Sequence, residues 1–178
     1  LHRLQIDQDP PKQKVRITFL SRNTRFRNVL NEKELIKRIS SNKDYEVKRV
    51  VYDKNISFLD QLRITSNTDV FIGIHGAGLT HLLFLPKWAT LFELHNCGDA
   101  GCYKDLARLR GVNYITWEDD AFVETFEAGY EQAHHQKFQN YKFDADEFGL
   151  LVAKAVKAVK KHPDYREHLK KSQSHDEL

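Results

Sequence analysis

An α/β fold, a parallel sheet with helices on both faces, is predicted by three observations on this sequence. Short β-branched runs alternate with amphipathic helical stretches along residues 15–117 in the order β-α-β-α-β-α-β-α-β. One run, Asp69-Val70-Phe71-Ile72-Gly73-Ile74, is almost continuously apolar, as a strand buried on both faces requires. The stretches between strands have the length of ordinary helical crossovers, which join parallel strands.

After a polar entry containing Pro10-Pro11, Val15 to Leu20 alternates and is β-branched, and reads as the first strand. Ser21-Arg22-Asn23-Thr24-Arg25 is a polar loop. Asn31, with Glu34 three residues on, has the form of a capping box opening a helix with Leu35, Ile36 and Ile39 on one face. Glu46 to Tyr52 is the second strand. Ser57 and Asp60 form a second capping signal, before a helix through Leu59, Leu62 and Ile64. The apolar run from Asp69 follows, and Leu79 to Leu85 is a short helix stopped by Pro86. Thr90 to Leu94 is a strand, Tyr103 to Arg110 a helix closed by Gly111, and Val112 to Trp117 the last strand. Glu118 to Gln139 lacks a clear period and reads as a long loop. From Asp144 to Lys161 a helix places Phe148, Leu151, Val152, Ala155 and Val159 on one side. It ends before Pro163, and a polar tail is expected beyond.

The 178 residues make one domain, and 40% apolar content is enough to close a core. Lys and Arg number 28 against 25 Asp and Glu, so charge gives no case for nucleic acid as a partner. No apolar run approaches the ~20 residues of a membrane-spanning helix. The sequence ends in His175-Asp176-Glu177-Leu178, an ER-retrieval signal read by a receptor, so the expected location is the ER lumen. It has no N-terminal signal segment and no methionine, so it is expected to be the C-terminal piece of a longer protein. Asn55-Ile56-Ser57 is an N-glycosylation sequon in a polar stretch. Cys97 and Cys102 are a disulfide candidate in an oxidising lumen. With His95 alone beside them they make a poor zinc set, and no metal ligands are assigned.

The residues best suited to chemistry are Gly73-Ile74-His75-Gly76-Ala77-Gly78-Leu79-Thr80-His81, between a buried strand and a helix. Small residues let a ligand approach the backbone, and free N–H groups at the helix start suit a phosphate or pyrophosphate. The same glycines would also serve a plain chain reversal. The order G-x-x-G-x-G is neither the dinucleotide fingerprint nor a P-loop, and no G-x-S-x-G elbow is present. His75 could bond a donor phosphate and help a leaving group depart, or be satisfied by local backbone. Arg22, beside Ser21, falls on the same sheet edge, where its fork suits phosphate oxygens; a solvated basic loop is the alternative. Glu93, inside Leu91-Phe92-Glu93-Leu94, could accept bonds from ribose hydroxyls or face solvent at a strand end. Trp117 and His134-His135 have no partner at ligand spacing.

The run from Asp69 to His81, continuing through Leu82-Leu83-Phe84-Leu85-Pro86 to Phe92-Glu93-Leu94, resembles the donor-side signature of glycosyltransferase family 61. Phe58 to Thr65, Cys102 to Val112 and Tyr114-Ile115-Thr116-Trp117 extend the resemblance, while Glu118 to Gln139 and the tail match poorly. It implies a GT-B-like arrangement of two Rossmann-like lobes, of which this chain is the C-terminal, donor lobe. The nucleotide-sugar-binding Rossmann-like domain would span 15–162, after a linker at 1–14 from the missing lobe and before a tail at 163–178.

The family members it most resembles transfer N-acetylglucosamine from UDP-GlcNAc, with inversion, to Ser or Thr hydroxyls of EGF-like repeats in secretory proteins. Carried onto this chain, Ser21, Arg22 and the turn His75-Gly76-Ala77-Gly78-Leu79-Thr80 would hold the donor pyrophosphate and Glu93 the ribose. His75 would stabilise the leaving group. The resemblance places the general base upstream, so the chain alone is expected to be inactive. No cofactor is required by the sequence, and a divalent cation such as Mn2+ is left open. Alternatives are a related transferase with another UDP-sugar or a glycan acceptor, and a non-catalytic ER-lumenal binding domain.

Overall fold

A computed structural model describes residues 6, 8–127 and 135–176. His134, Glu177 and Leu178, with most of residues 1–7, lie outside the described residues. Five strands form a parallel sheet: β1 (Val15–Ser21), β2 (Tyr45–Val51), β3 (Val70–Gly73), β4 (Thr90–Glu93) and β5 (Asn113–Thr116). Their order is β2-β1-β3-β4-β5. The helices between them are α1 (Glu32–Ser40), α2 (Phe58–Ser66), a 3-10 helix (Ala77–Phe84) and α3 (Cys102–Arg110). The expected α/β fold is what the chain adopts.

The burial of each strand follows its place in that order. Every residue of β1, β3 and β4 is buried, because helices cover both faces, whereas the edge strands β2 and β5 are only partly buried. On one face Ile17, Phe19, Ile72 and Phe92 pack with Leu35 and Ile39 of α1 and with Phe148 and Val152 of α4 (Ala145–Lys161). On the other, Leu20, Phe71 and Leu91 pack with Leu79, Leu82, Tyr103 and Ala107.

Ser57 caps α2 through its side chain, accepting from the Asp60 amide at 3.2 Å, and Gly111 closes α3 in the left-handed region at φ 78°. Asn31 does not cap α1. Its side chain instead clamps Phe143, donating to the carbonyl at 2.7 Å and accepting from the amide at 3.1 Å.

Two stretches depart from expectation. Within the expected loop 118–139 lies β6 (Val123–Glu127), which pairs antiparallel with β7 (Gln139–Phe143). The expected tail is α5 (Pro163–Asp176), and its Tyr165 is buried against Trp88 with ring centroids 6.1 Å apart. An aromatic side chain in the first turn thus anchors a helix whose composition is otherwise polar. The entry segment is also tied down, with the Asp9 amide donating to Asn67 Oδ1 at 2.7 Å.

At the amino edge of the sheet Asp69 is 0% exposed and accepts four bonds. They come from the Arg16 amide (2.9 Å), Nε (3.0 Å) and Nη2 (2.8 Å), and from Trp88 Nε1 (2.8 Å). A buried carboxylate is tolerated only when so completely bonded. Removing it strands the Arg16 guanidinium, so Asp69→Ala should cost about 3–5 kcal/mol, read as a lowered denaturant midpoint at unchanged slope.

Candidate functional site

The strand order fixes where a ligand can enter. From β1 the chain crosses to β2 on one side, while β3 lies on the other, so the connections leaving β1 and β3 diverge and open a crevice at their carboxyl ends. Ser21-Arg22 follows β1 and Ile74-His75-Gly76 follows β3. A cleft of about 350 Å³ lies there, lined among others by Ser21, Arg22, Arg27, Gly76, Ala77 and Gly78. A similar cleft of about 380 Å³ along β5 holds neither a glycine turn nor an arginine.

Two guanidiniums meet at one carbonyl in the first cleft. Arg27 Nη1 donates to His75 O at 2.9 Å and Arg22 Nη1 to the same oxygen at 3.4 Å. Among the described residues neither arginine is within ion-pair distance of a carboxylate. Burial holds the Arg22 guanidinium below its ordinary pKa, and the neighbouring charge of Arg27 lowers it further. Arg27 Nε is buried without a hydrogen-bond partner. Such a pair can take an anion whose oxygens accept from the remaining N–H donors.

The glycines beneath are needed for contact. A Cβ on Gly76 would lie 2.0 Å from Arg22 Nη1, and one on Gly78 would lie 2.7 Å from Leu20 Cδ2. The 3-10 helix starts at Ala77 with Gly76 as its cap, and Ala77 and Gly78 of its first turn line the same cleft as the arginines.

Other expected contacts are placed elsewhere. Glu93 is 0% exposed, and both its oxygens are taken: Oε1 by His75 Nδ1 at 2.8 Å and Oε2 by the Tyr114 hydroxyl at 2.6 Å. It has no free edge for a ribose and serves instead to fix the His75 ring. Burial and the Glu93 carboxylate push the Tyr114 phenol up, so it stays a donor. The His75 ring turns toward β4 and the Asp99 loop, so that only its carbonyl faces the arginines. Tyr103, whose hydroxyl donates to Gly76 O at 2.6 Å, packs edge-on against it at 5.0 Å. Burial raises the Tyr103 pKa to about 12.

Ser21 lines the cleft, but its hydroxyl donates to Glu32 at 2.6 Å and accepts from Arg49 at 2.8 Å. Leu79 is in the core, and the Thr80 hydroxyl returns to Ala77 O at 2.7 Å. Cys97 and Cys102 are free thiols, not a disulfide. Cys97 is buried with Sγ 3.7 Å from the Tyr141 hydroxyl, whereas Cys102 is exposed at the start of α3. Asn55 is exposed in the turn between β2 and α2, with its amide donating to Asp53 Oδ1 at 2.8 Å. No helix among the described residues is long and apolar enough to cross a membrane.

Residues 2–92, which carry β1, β3 and the glycine turn, match the family model described as Glycosyltransferase 61. The chain belongs to the glycosyltransferase 61 family. Within that family it is 54% identical to a Drosophila melanogaster protein named EGF domain-specific O-linked N-acetylglucosamine transferase, over 93% of this chain and 32% of the relative. Proteins of that name from Bos taurus and Gallus gallus are 53% and 49% identical over the whole chain and 34% and 33% of their own lengths. The chain thus spans about a third of the curated relatives it matches. A solved structure titled "Crystal Structure Analysis of the Glycotransferase of kitacinnamycin" aligns with TM-score 0.39 at 13% identity, over 92% of this chain and 42% of that one. That likeness is too slight to say more about either.

Arg27 is the cleft residue of this family-61 chain that the sequence pattern concealed. It lies outside the Ser21–Arg25 loop that the pattern marks, and where it lines the cleft its backbone is left-handed at φ 60°. That conformation is set from a distance: the Arg27 amide bonds Gln139 O at 2.7 Å, and β7 also pairs with Val29. The one local signal was a third arginine close after Arg22 and Arg25.

Gly76→Ala should displace the Arg22 guanidinium, because the new methyl takes its place. The expected result is a loss of inorganic pyrophosphate affinity in titration calorimetry with the circular dichroism spectrum retained.

Proposed function

We propose that this chain is the donor-binding lobe of an inverting protein O-linked N-acetylglucosaminyltransferase of GT-B-like build. Its donor would be UDP-GlcNAc and its acceptors the EGF-like repeats of secretory proteins. The observation that carries the reading is the pair Arg22 and Arg27, fixed on the His75 carbonyl above Gly76 without a carboxylate partner. Relatives at 49–54% identity, named EGF domain-specific O-linked N-acetylglucosamine transferases, support N-acetylglucosamine as the transferred sugar and EGF-like repeats as acceptors.

In such a transfer the acceptor hydroxyl attacks the anomeric carbon while the bond from that carbon to the β-phosphate oxygen breaks. Negative charge grows on the departing UDP. Arg22, Arg27 and the amides at Ala77 and Gly78 are held in place before the reaction, so little reorganisation is needed as that charge develops. The acceptor hydroxyl's proton goes to a base in the part of the enzyme beyond this segment. His75 contributes through its backbone oxygen, which orients both guanidiniums.

In the full-length enzyme, Arg22→Ala and Arg27→Ala should each weaken UDP binding by about 1.5–3 kcal/mol, roughly ten- to hundredfold, and lower transfer in parallel. Calorimetry showing unchanged UDP affinity in both variants would remove the assignment. Mass spectrometry of an EGF-repeat acceptor, offered with UDP-GlcNAc and other UDP-sugars in turn, tests donor and acceptor.

The terminal His175-Asp176-Glu177-Leu178 supports residence in the ER lumen through a retrieval receptor. Its deletion should move the protein from cell extracts to the medium, and continued retention would argue against that location.

A further inference from the structure

The His75 ring presents a nitrogen that the nucleotide site does not use. Its Nδ1 is bonded to Glu93, and the residue is only 6% exposed. No hydrogen bond reaches Nε2 from the described residues; the nearest carboxylate oxygen, Asp99 Oδ2, stands 3.9 Å away. An imidazole nitrogen held in one orientation by its other nitrogen, with no hydrogen-bond partner of its own, is free to take a ligand. Around this one lie two further donor atoms: Asp99 Oδ, His75 nitrogen and Cys102 Sγ all fall within 4.8 Å of one another.

We propose that His75, Asp99 and Cys102 form a binding site for a zinc-class divalent cation. Ligand atoms about such an ion at ~2.0–2.3 Å stand roughly 3.3–3.8 Å apart, so the His75–Asp99 separation nearly fits and the thiol closes by a small rotation. The supporting contacts are those of metal-bound histidines: a carboxylate, Glu93, sits on Nδ1 and leaves Nε2 as the ligating nitrogen. Glu93 is itself held by Tyr114 at 2.6 Å, so the imidazole is oriented before any ion arrives. Imidazole, thiolate and carboxylate together select zinc over the hard cations, since magnesium and manganese favour oxygen donors. Three protein ligands leave a fourth position open. Lys137 Nζ lies 3.8 Å from Asp99 Oδ2 and would be displaced from that oxygen.

The residues come from the end of β3, the loop after β4 and the first turn of α3. That is why the spacing of His95, Cys97 and Cys102 gave no such set. His95 is engaged elsewhere, accepting from the Cys97 amide at 3.0 Å and stacking on Tyr141. The site does not depend on the donor reading, because it needs neither arginine.

Cobalt(II) titration of the full-length protein, kept reduced by a phosphine and without nucleotide, tests it. The expected result is a thiolate-to-cobalt charge-transfer band in the near ultraviolet that zinc displaces. The band should vanish in Cys102→Ser, an exposed position where the fold is not at risk, and Asp99→Asn should weaken cobalt affinity roughly tenfold or more. Absence of the band in the parent protein, or its persistence in Cys102→Ser, would overturn the proposal.

Discussion

The site hangs on one buried carboxylate. Glu93 ends β4 with no exposure, and a carboxylate taken from water is stable only when its oxygens are bonded. Tyr114 from β5 and His75 from beyond β3 each bond one of its oxygens, so Glu93 ties β4 to β5 and to the turn after β3. With its ring pinned toward β4 and its amide donating to His95 O at 3.2 Å, His75 turns its carbonyl to the other side of the chain. That oxygen is where Arg22 and Arg27 converge. The oxygen on which the two arginines meet is thus oriented by the satisfaction of Glu93.

A second buried carboxylate stands at the opposite edge of the same sheet. Asp69 closes the amino end of β3 by binding Arg16 and Trp88, and every bond it accepts stays inside the protein. Between the two edges the contacts of β1, β3 and β4 are mainly apolar, and the buried threonines there are bonded: Thr18 to Thr68 at 2.6 Å, and Thr90 to the Ala155 carbonyl at 3.4 Å. The division follows from parallel pairing, which places all crossover starts at one edge and all their ends at the other. Polar satisfaction at the amino edge secures the fold. At the carboxyl edge it leaves donors over for a ligand.

What the sequence made legible was local. The strands, the Ser57 cap and the Gly111 cap depend on periodicity and on residues a few positions apart, and they form where the pattern put them. The glycine turn and Arg22 fall together because a parallel sheet brings the ends of β1 and β3 to one edge. The losses are all long-range. Asn31 has the right neighbours for a cap, but Phe143, over a hundred residues away, offers two bonds. Val123 to Glu127 is mostly exposed and carries no apolar face, so only its partner β7 reveals it as a strand. Glu93 looked available for ribose because nothing near it in sequence predicts His75 and Tyr114.

The β6–β7 pair also explains how two like charges can sit side by side. Arg27 would relieve its repulsion from Arg22 by swinging into solvent, and a positive φ makes its backbone less favourable still. The backbone cannot relax while β7 holds the loop through the Arg27 amide, the Leu30 amide and the Tyr141 amide, at 2.7, 2.7 and 2.9 Å, and the side chain is held to the cleft by its bond to His75 O at 2.9 Å. The strain is therefore carried by a sheet whose own residues are not part of the cleft lining. A bound pyrophosphate would convert the repulsion into attraction at both guanidiniums, so the contribution that β7 makes to the fold returns as preorganisation for the anion. A segment with no legible pattern in the sequence is in this way the scaffold for its second arginine.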